Sequence, residues 1–222
     1  MKTFVGAIGA LAMSLCWMGC SGAECSASTP CPEGQQCSAE GICVADTGPS
    51  CDDTSRPEAP NLISNPGFEC GVADWQPYVG PAVVKISEET SNPKSGSKAM
   101  RIQYTETAAK QSRVAAFGKE IPVTGGETIC YRAFMRGTGR NGHIVVRESR
   151  PGGGFDTSYS SPITLNDWVE VPPSVALRKI TVGNDTTSVH VRFELRQPAD
   201  QDTLIVDDVA LWRSPDGSCS ER

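Results

Sequence analysis

Two stretches of strict alternation constrain this chain more than any other feature. In residues 98–104, Met100, Ile102 and Tyr104 fall on one side and Ala99, Arg101 and Gln103 on the other. In residues 189–196, Val189, Val191, Phe193 and Leu195 oppose His190, Arg192, Glu194 and Arg196. A period of two sends one row of side chains into a core and the other towards water, the mark of a half-buried antiparallel strand. The same reading extends to residues 82–87, 114–123, 128–136, 143–148, 168–171 and 203–212, with residues 62–63 as a short opening strand. Turns rich in Gly, Pro, Asn and Ser separate them at 92–96, 125–126, 137–142, 151–154, 172–173 and 183–185. No stretch between 61 and 213 carries a helical period of useful length. Roughly nine or ten short strands over about 160 residues predict an all-β, two-sheet antiparallel sandwich.

Everything before residue 61 reads differently. Lys2, followed by the uncharged and largely apolar residues 4–19, is an export signal too short for a comfortable membrane span. Residues 17–20, WMGC, with Ser21 after them, resemble the lipobox of bacterial lipoproteins, although Trp17 stands where leucine is usual. On that reading residues 1–19 are removed and Cys20 is lipidated, so the membrane is met only through acyl chains. The expected place is the bacterial cell envelope, as an outer-membrane lipoprotein. Cleavage after residues 21–23 (SGA) is the alternative and gives a freely secreted chain.

Of ten cysteines, eight remain when Cys16 and Cys20 are set aside, an even number that argues for disulfides in an exported chain. Zinc is disfavoured because no C-x-x-C pair occurs and the two histidines, His143 and His190, lie far from the cysteine cluster. Residues 24–44 place Cys25, Cys31, Cys37 and Cys43 at an even six-residue step among too few apolar residues for a core. This is a small disulfide-rich segment, resembling short EGF-like or Dickkopf-like repeats. Of its three connectivities, first-to-third with second-to-fourth is favoured, and a spacer is its expected role. Residues 45–60 are a polar, Pro-rich linker. By elimination Cys51 pairs with Cys219, stapling the domain's ends, and Cys70 pairs with Cys130, although these two assignments are exchangeable.

Six fragments in order resemble a known family: residues 61–69 (NLISNPGFE), Asp74-Trp75, 94–102 (KSGSKAMRI), 131–137 (YRAFMRG), 166–168 (NDW) and 205–209 (IVDDV). They look like the CenC-type carbohydrate-binding modules of families 4, 9 and 22. The resemblance covers residues 61–213 and assigns 61–219 to one domain. It implies a galactose-binding-like jelly roll with a structural calcium ion. Matching residue by residue, it places the ion on Glu69, on Asp207 and on oxygens of the 92–97 turn, from Asn92 to Ser97. Calcium takes hard oxygen ligands of this kind. Alternation in the last strand sets Leu204, Val206 and Asp208 against Ile205, Asp207 and Val209. One aspartate then faces an apolar layer, where an unpaired carboxylate is costly. A metal relieves that cost; an Asp207 bonded only to backbone N–H groups is the alternative.

Recognition of sugar needs a ring or a plane of hydrogen-bonding side chains. Trp75, Trp168 and Trp212 are read as packing residues, leaving Tyr78, Phe134, Phe155 and Tyr159 as possible platforms. If their strands share a sheet, Arg132, Phe134, Arg147, Arg192 and Glu194 form a polar floor with one ring on it. A solvated face of cross-strand ion pairs is the alternative. A formal net charge of −6 argues against nucleic acid as a partner. No nucleophile or metalloprotease motif occurs, and Glu148 with Glu194 is the one carboxylate pair to consider for a glycosidase. The expectation is a monomeric, non-catalytic binding protein whose partner is a polysaccharide. A structural or adhesive protein with a degenerate jelly roll is the second reading.

Overall fold

The computed structural model describes residues 35–37, 41–45, 60–77, 83–105 and 114–219. The export and lipidation readings at residues 1–23, most of the cysteine-rich segment and nearly all of the linker lie outside them. The chain divides into two compact units, Met1–Gly48 and Pro49–Arg222. In the first, β1 (Gln35–Cys37) and β2 (Cys43–Ala45) form an antiparallel ribbon with Cys37 opposite Cys43. Cys43 is disulfide-bonded. The connectivity expected there falls outside the described residues.

The second unit is an all-β sandwich. Its strands are β3 (Gln76–Pro77), β4 (Val84–Glu89), β5 (Ala99–Tyr104), β6 (Val114–Phe117), β7 (Ile121–Pro122) and β8 (Thr128–Gly137). They continue with β9 (Asn141–Ser149), β10 (Phe155–Pro162), β11 (Val169–Val171), β12 (Lys179–Thr181), β13 (Ser188–Leu195) and β14 (Thr203–Arg213). One sheet runs β10-β9-β13-β6-β3, with β7 also on β13; the other runs β11-β8-β14-β5-β4, with β12 also on β8. We call them the β13 sheet and the β14 sheet. Every strand pair in them is antiparallel.

The two alternating rows meet as expected. Val189, Val191, Phe193 and Leu195 from one sheet pack with Met100, Ile102, Tyr104, Ile129, Tyr131 and Met135 from the other. Burying such rows is the main favourable term for a fold of this kind. Phe68 and Trp75 extend the core, with Trp75 stacked between Phe68 at 5.9 Å and Phe193 at 5.3 Å.

Three expectations need correction, and β10 is a strand not among those expected. Residues 62–63 form no strand, because the Asn61 side chain does the bonding a strand would do. Its Oδ1 accepts from Ile63 N and Leu211 N, and its Nδ2 donates to Val209 O. Residues 114–123 break into β6 and β7 around Gly118, where an added Cβ would sit 3.4 Å from the Trp75 ring. Strand β10 carries no apolar row to betray it: Thr157, Tyr159 and Ser161 face the core side at a sheet edge. The last strand does not alternate throughout. The register shifts between Asp207 and Ala210, and Asp208 adopts a left-handed φ of 48°. A bulge of this kind reverses the facing of the residues beyond it. Val209 and Leu211 therefore enter the core while Ala210 and Trp212 lie on the outer face.

The disulfide pairing also differs. Cys130 is bonded to Cys219, with 5.6 Å between their Cα atoms, so neither Cys51–Cys219 nor Cys70–Cys130 forms. Cys130 lies opposite Trp212 on the outer face of β8. Past β14 the tail folds back, with Ser214 N donating to Thr128 O, and this brings Cys219 over that face. Cys70 is disulfide-bonded as well.

Candidate functional site

The polar floor does not exist as one surface. Arg147, Arg192 and Glu194 belong to the β13 sheet, whereas Arg132 and Phe134 belong to β8 in the β14 sheet. Alternation reports which face of a strand is wet, not which sheet the strand joins.

On the β13 sheet the outer row is set by register. His190, Arg147 and Asp156 lie side by side on β13, β9 and β10; the next rows are Arg192, Val145 and Ser158, then Glu194, His143 and Ser160. Asp156 is held from both sides: Arg147 Nη1 donates to Oδ1 at 2.8 Å and Arg192 Nη2 to Oδ2 at 2.7 Å. Burial pushes the Asp156 carboxyl up, but the Arg192 charge and the Arg147 hydrogen bond outweigh it and leave it below the usual range. The side chain of Arg147 is 34% exposed and that of Arg192 only 1%. Arg192 and Glu194 are thus buried beneath the face; Arg147, Asp156, Ser158 and Ser160 reach it. Arg147 lies across Gly154, where an added Cβ would meet its guanidinium carbon at 2.5 Å. His190 packs at 5.9 Å from the Phe117 ring. Burial first, and the Arg192 charge second, lower its pKa, so the imidazole is neutral at neutral pH. Phe117, absent from the expected platforms, is the ring of this face.

Glu148 and Glu194 do not form a pair. Glu148 lies opposite Val189 in the core-facing row, while Glu194 lies opposite His143 in the outer row. Glu148 is instead spent on structure, accepting from Arg150 at 2.7 Å, Thr186 at 2.6 Å and Gly183 N at 2.8 Å.

The outer face of the β14 sheet is closed by its own contacts. Glu170 pairs with Arg132 at 3.0 Å and with Arg178 at 2.8 Å. The Phe134 ring lies under Lys94 Nζ at 4.7 Å, and Arg136 stacks over Trp168 at 5.1 Å. Cys130, Ala210, Trp212 and Cys219 complete an apolar patch under the tail. Trp75, Trp168 and Trp212 are therefore all packing residues. Of the other expected platforms, Tyr159 packs against the core, Phe155 is 53% exposed beneath Arg150 at 5.1 Å, and Tyr78 lies outside the described residues.

The residues assigned to calcium form a clasp on the 92–98 turn. Glu69 Oε1 accepts from Ser97 N at 2.8 Å and Lys98 N at 3.1 Å, and Oε2 accepts from Ser97 Oγ at 2.6 Å. Asp207 Oδ2 accepts from Lys94 N at 2.8 Å and Ser95 N at 3.2 Å, and Oδ1 from Asp208 N at 2.8 Å. Asp208 Oδ1 accepts from Ser95 Oγ. The turn closes tightly enough that Gly96, at φ 58°, would put a Cβ 2.1 Å from Glu69 Oε1. The Asn92 carbonyl, a ligand in the resemblance, already accepts from the Arg136 guanidinium at 3.1 Å. Amide protons reach both carboxylates and a guanidinium reaches the carbonyl, so direct hydrogen bonds close the clasp. Among the described residues, no three acidic, His or Cys side chains gather around one point. Burial and the neighbouring Asp208 push the Asp207 carboxyl up to about 7, against the three amides that lower it.

No family model matches the chain. No curated protein matches it either. Solved structures do. The CBM22-1–GH10 modules of Clostridium thermocellum xylanase 10B, complexed with xylohexaose, superpose with a TM-score of 0.54 at 13% identity over 69% of this chain and 28% of that one. The C-terminal family 22 carbohydrate-binding module of C. thermocellum Xyn10B gives 0.52 at 14% identity over 67% of this chain and 91% of that one. The enzymatically active domain of tailspike protein 4 of bacteriophage CBA120 gives 0.51 at 11% identity; this chain covers 21% of it. The sandwich therefore has the jelly-roll fold of carbohydrate-binding modules.

Proposed function

We propose that this chain is a non-catalytic, monomeric, exported binding protein, lipidated on Cys20, whose sandwich binds polysaccharide on the outer face of the β13 sheet. The observation that supports the sugar reading most is the contrast between the two outer faces. One is closed by ion pairs, a stacked tryptophan and the disulfide-bonded tail. The other presents Arg147, Asp156, Ser158 and Ser160, a plane of donors and acceptors held rigid by the buried Arg192. Preorganised donors and acceptors of this kind suit a hydroxylated ligand, because their ordering cost is met before binding. The sandwich modules of similar fold include one solved with xylohexaose.

The test is a glycan array with polysaccharide pull-down, using the full chain and the variants Arg147→Ala and Gly154→Ala. Gly154→Ala adds a methyl that displaces the Arg147 guanidinium without touching the core. Both variants are expected to lose about 1–3 kcal/mol of binding, roughly one to two orders of magnitude in affinity, at unchanged melting temperature. Silence across neutral and acidic glycans would sink the reading in favour of a protein-contacting surface module. Lipidation is tested by fatty-acid labelling of the wild type against Cys20→Ser; equal labelling of the two would refute it.

A further inference from the structure

One end of the sandwich holds a cleft of about 450 Å3 between the β8–β9 turn (Thr138, Gly139, Arg140) and the loop after β13 (Arg196 to Ala199, with Asp202). Behind it Leu195 is buried in the core, pressed so closely against Gly139 that an added Cβ there would lie 2.7 Å from Leu195 Cδ1. Two guanidinium groups line it. Arg196 is exposed and donates to Ser158 Oγ at 3.4 Å; Arg140 is exposed and, among the described residues, has no side-chain partner.

The one carboxylate lining the cleft offsets one of them but bonds neither. Asp202 Oδ1 accepts from Thr138 Oγ1 at 3.1 Å and Oδ2 from Ala199 N at 2.7 Å, which fixes the loop. Gln197 and Gln201 hold left-handed φ values of 56° and 63° on either side of that anchor. In a chain of formal charge −6, two arginines against one aspartate make the lining of this cleft positive. It is continuous with the glycan face, since Ser158 is the residue that Arg196 touches and lies one row from Asp156 on β10.

Resting on the carbohydrate reading, we propose that Arg140 and Arg196 form an end subsite for the carboxylate of an acidic sugar, making the ligand a uronate-bearing polysaccharide. Planar guanidinium groups match a carboxylate with two parallel hydrogen bonds. With two guanidinium groups against one carboxylate, the cleft is short of one negative charge, which an acidic sugar supplies and a neutral glycan does not.

The test compares polygalacturonate, dextran sulfate and neutral xylan as probes in affinity electrophoresis and calorimetry, with wild type and the double variant Arg140→Ala/Arg196→Ala. The wild type is expected to prefer polygalacturonate, and the double variant to lose about tenfold or more of that affinity at unchanged melting temperature. Binding of xylan at least as tight as that of polygalacturonate, insensitive to the double variant, would overturn this subsite while leaving the carbohydrate reading intact. Dextran sulfate matching polygalacturonate would replace carboxylate recognition by general anion attraction. Silence with all three probes would overturn both readings.

Discussion

Calcium removal is the perturbation that most directly probes the clasp on the 92–98 turn. If backbone amides close it, as the contacts of Glu69 and Asp207 show, saturating calcium and excess EDTA give the same unfolding curve. If the carboxylates instead turn to an ion, calcium at a hundred times its dissociation constant adds about 2.7 kcal/mol. For a domain of this size that is about 5–11 °C in melting temperature, far above calorimetric error. The companion variant is Asp207→Ala. It strips the acceptor from three N–H groups, those of Lys94, Ser95 and Asp208, at a side chain with no solvent exposure. An unmet buried donor costs about 1–3 kcal/mol, and partial hydration of the turn brings the sum to about 3–5 kcal/mol. Scanning calorimetry of both proteins, with and without calcium, decides the matter. A calcium-dependent rise in the wild type that vanishes in Asp207→Ala would refute the amide clasp and restore the metal.

Two further outcomes concern the same sheet. Replacing Cys130 and Cys219 by alanine and serine removes a cross-link between residues 89 apart, and loop-closure entropy sets the loss at about 4.6 kcal/mol; denaturant unfolding giving less than about 1 kcal/mol would show that the tail holds without it. Asp207, at about 7 when folded against 3.8 as a free side chain, binds a proton in the native state that the unfolded chain has released. Its contribution to stability therefore falls as pH rises between those values and is level above them. Asp207→Asn should flatten that slope in a pH series of unfolding curves, and an unaltered slope would assign it to other groups.

Much of the fold was legible because alternation survives without tertiary help. Residues 98–104 and 189–195 declare both their strand character and their buried rows, and the order of fragments from NPGFE to IVDDV carries the sandwich. What was hidden depends on contacts between distant residues. Nothing local marks Asp208 for a left-handed conformation, so the bulge that turns Val209 and Leu211 inward had no signal. Strand β10 draws its outer row from Asp156, Ser158 and Ser160 and its inner one from Thr157, Tyr159 and Ser161, which reads as loop. Elimination misassigned Cys130, although its place in the outward row with Arg132 and Phe134 marks it for something laid over that face. The floor failed for the reason that parity is local and sheet membership is not. Arg147 and Arg192 were found by their residue type, whereas Asp156, which organises them, and Phe117 were not.

The sandwich is fastened at both ends to the β14 sheet. Asn61 grips β14 at its bulge through side-chain hydrogen bonds to Val209 and Leu211, while Cys219 is tied to β8 by a covalent bond. Load arriving from the C-terminal side therefore ends at the Cys130–Cys219 bond and passes into β8, in the middle of the sheet, without peeling β14 from its neighbours.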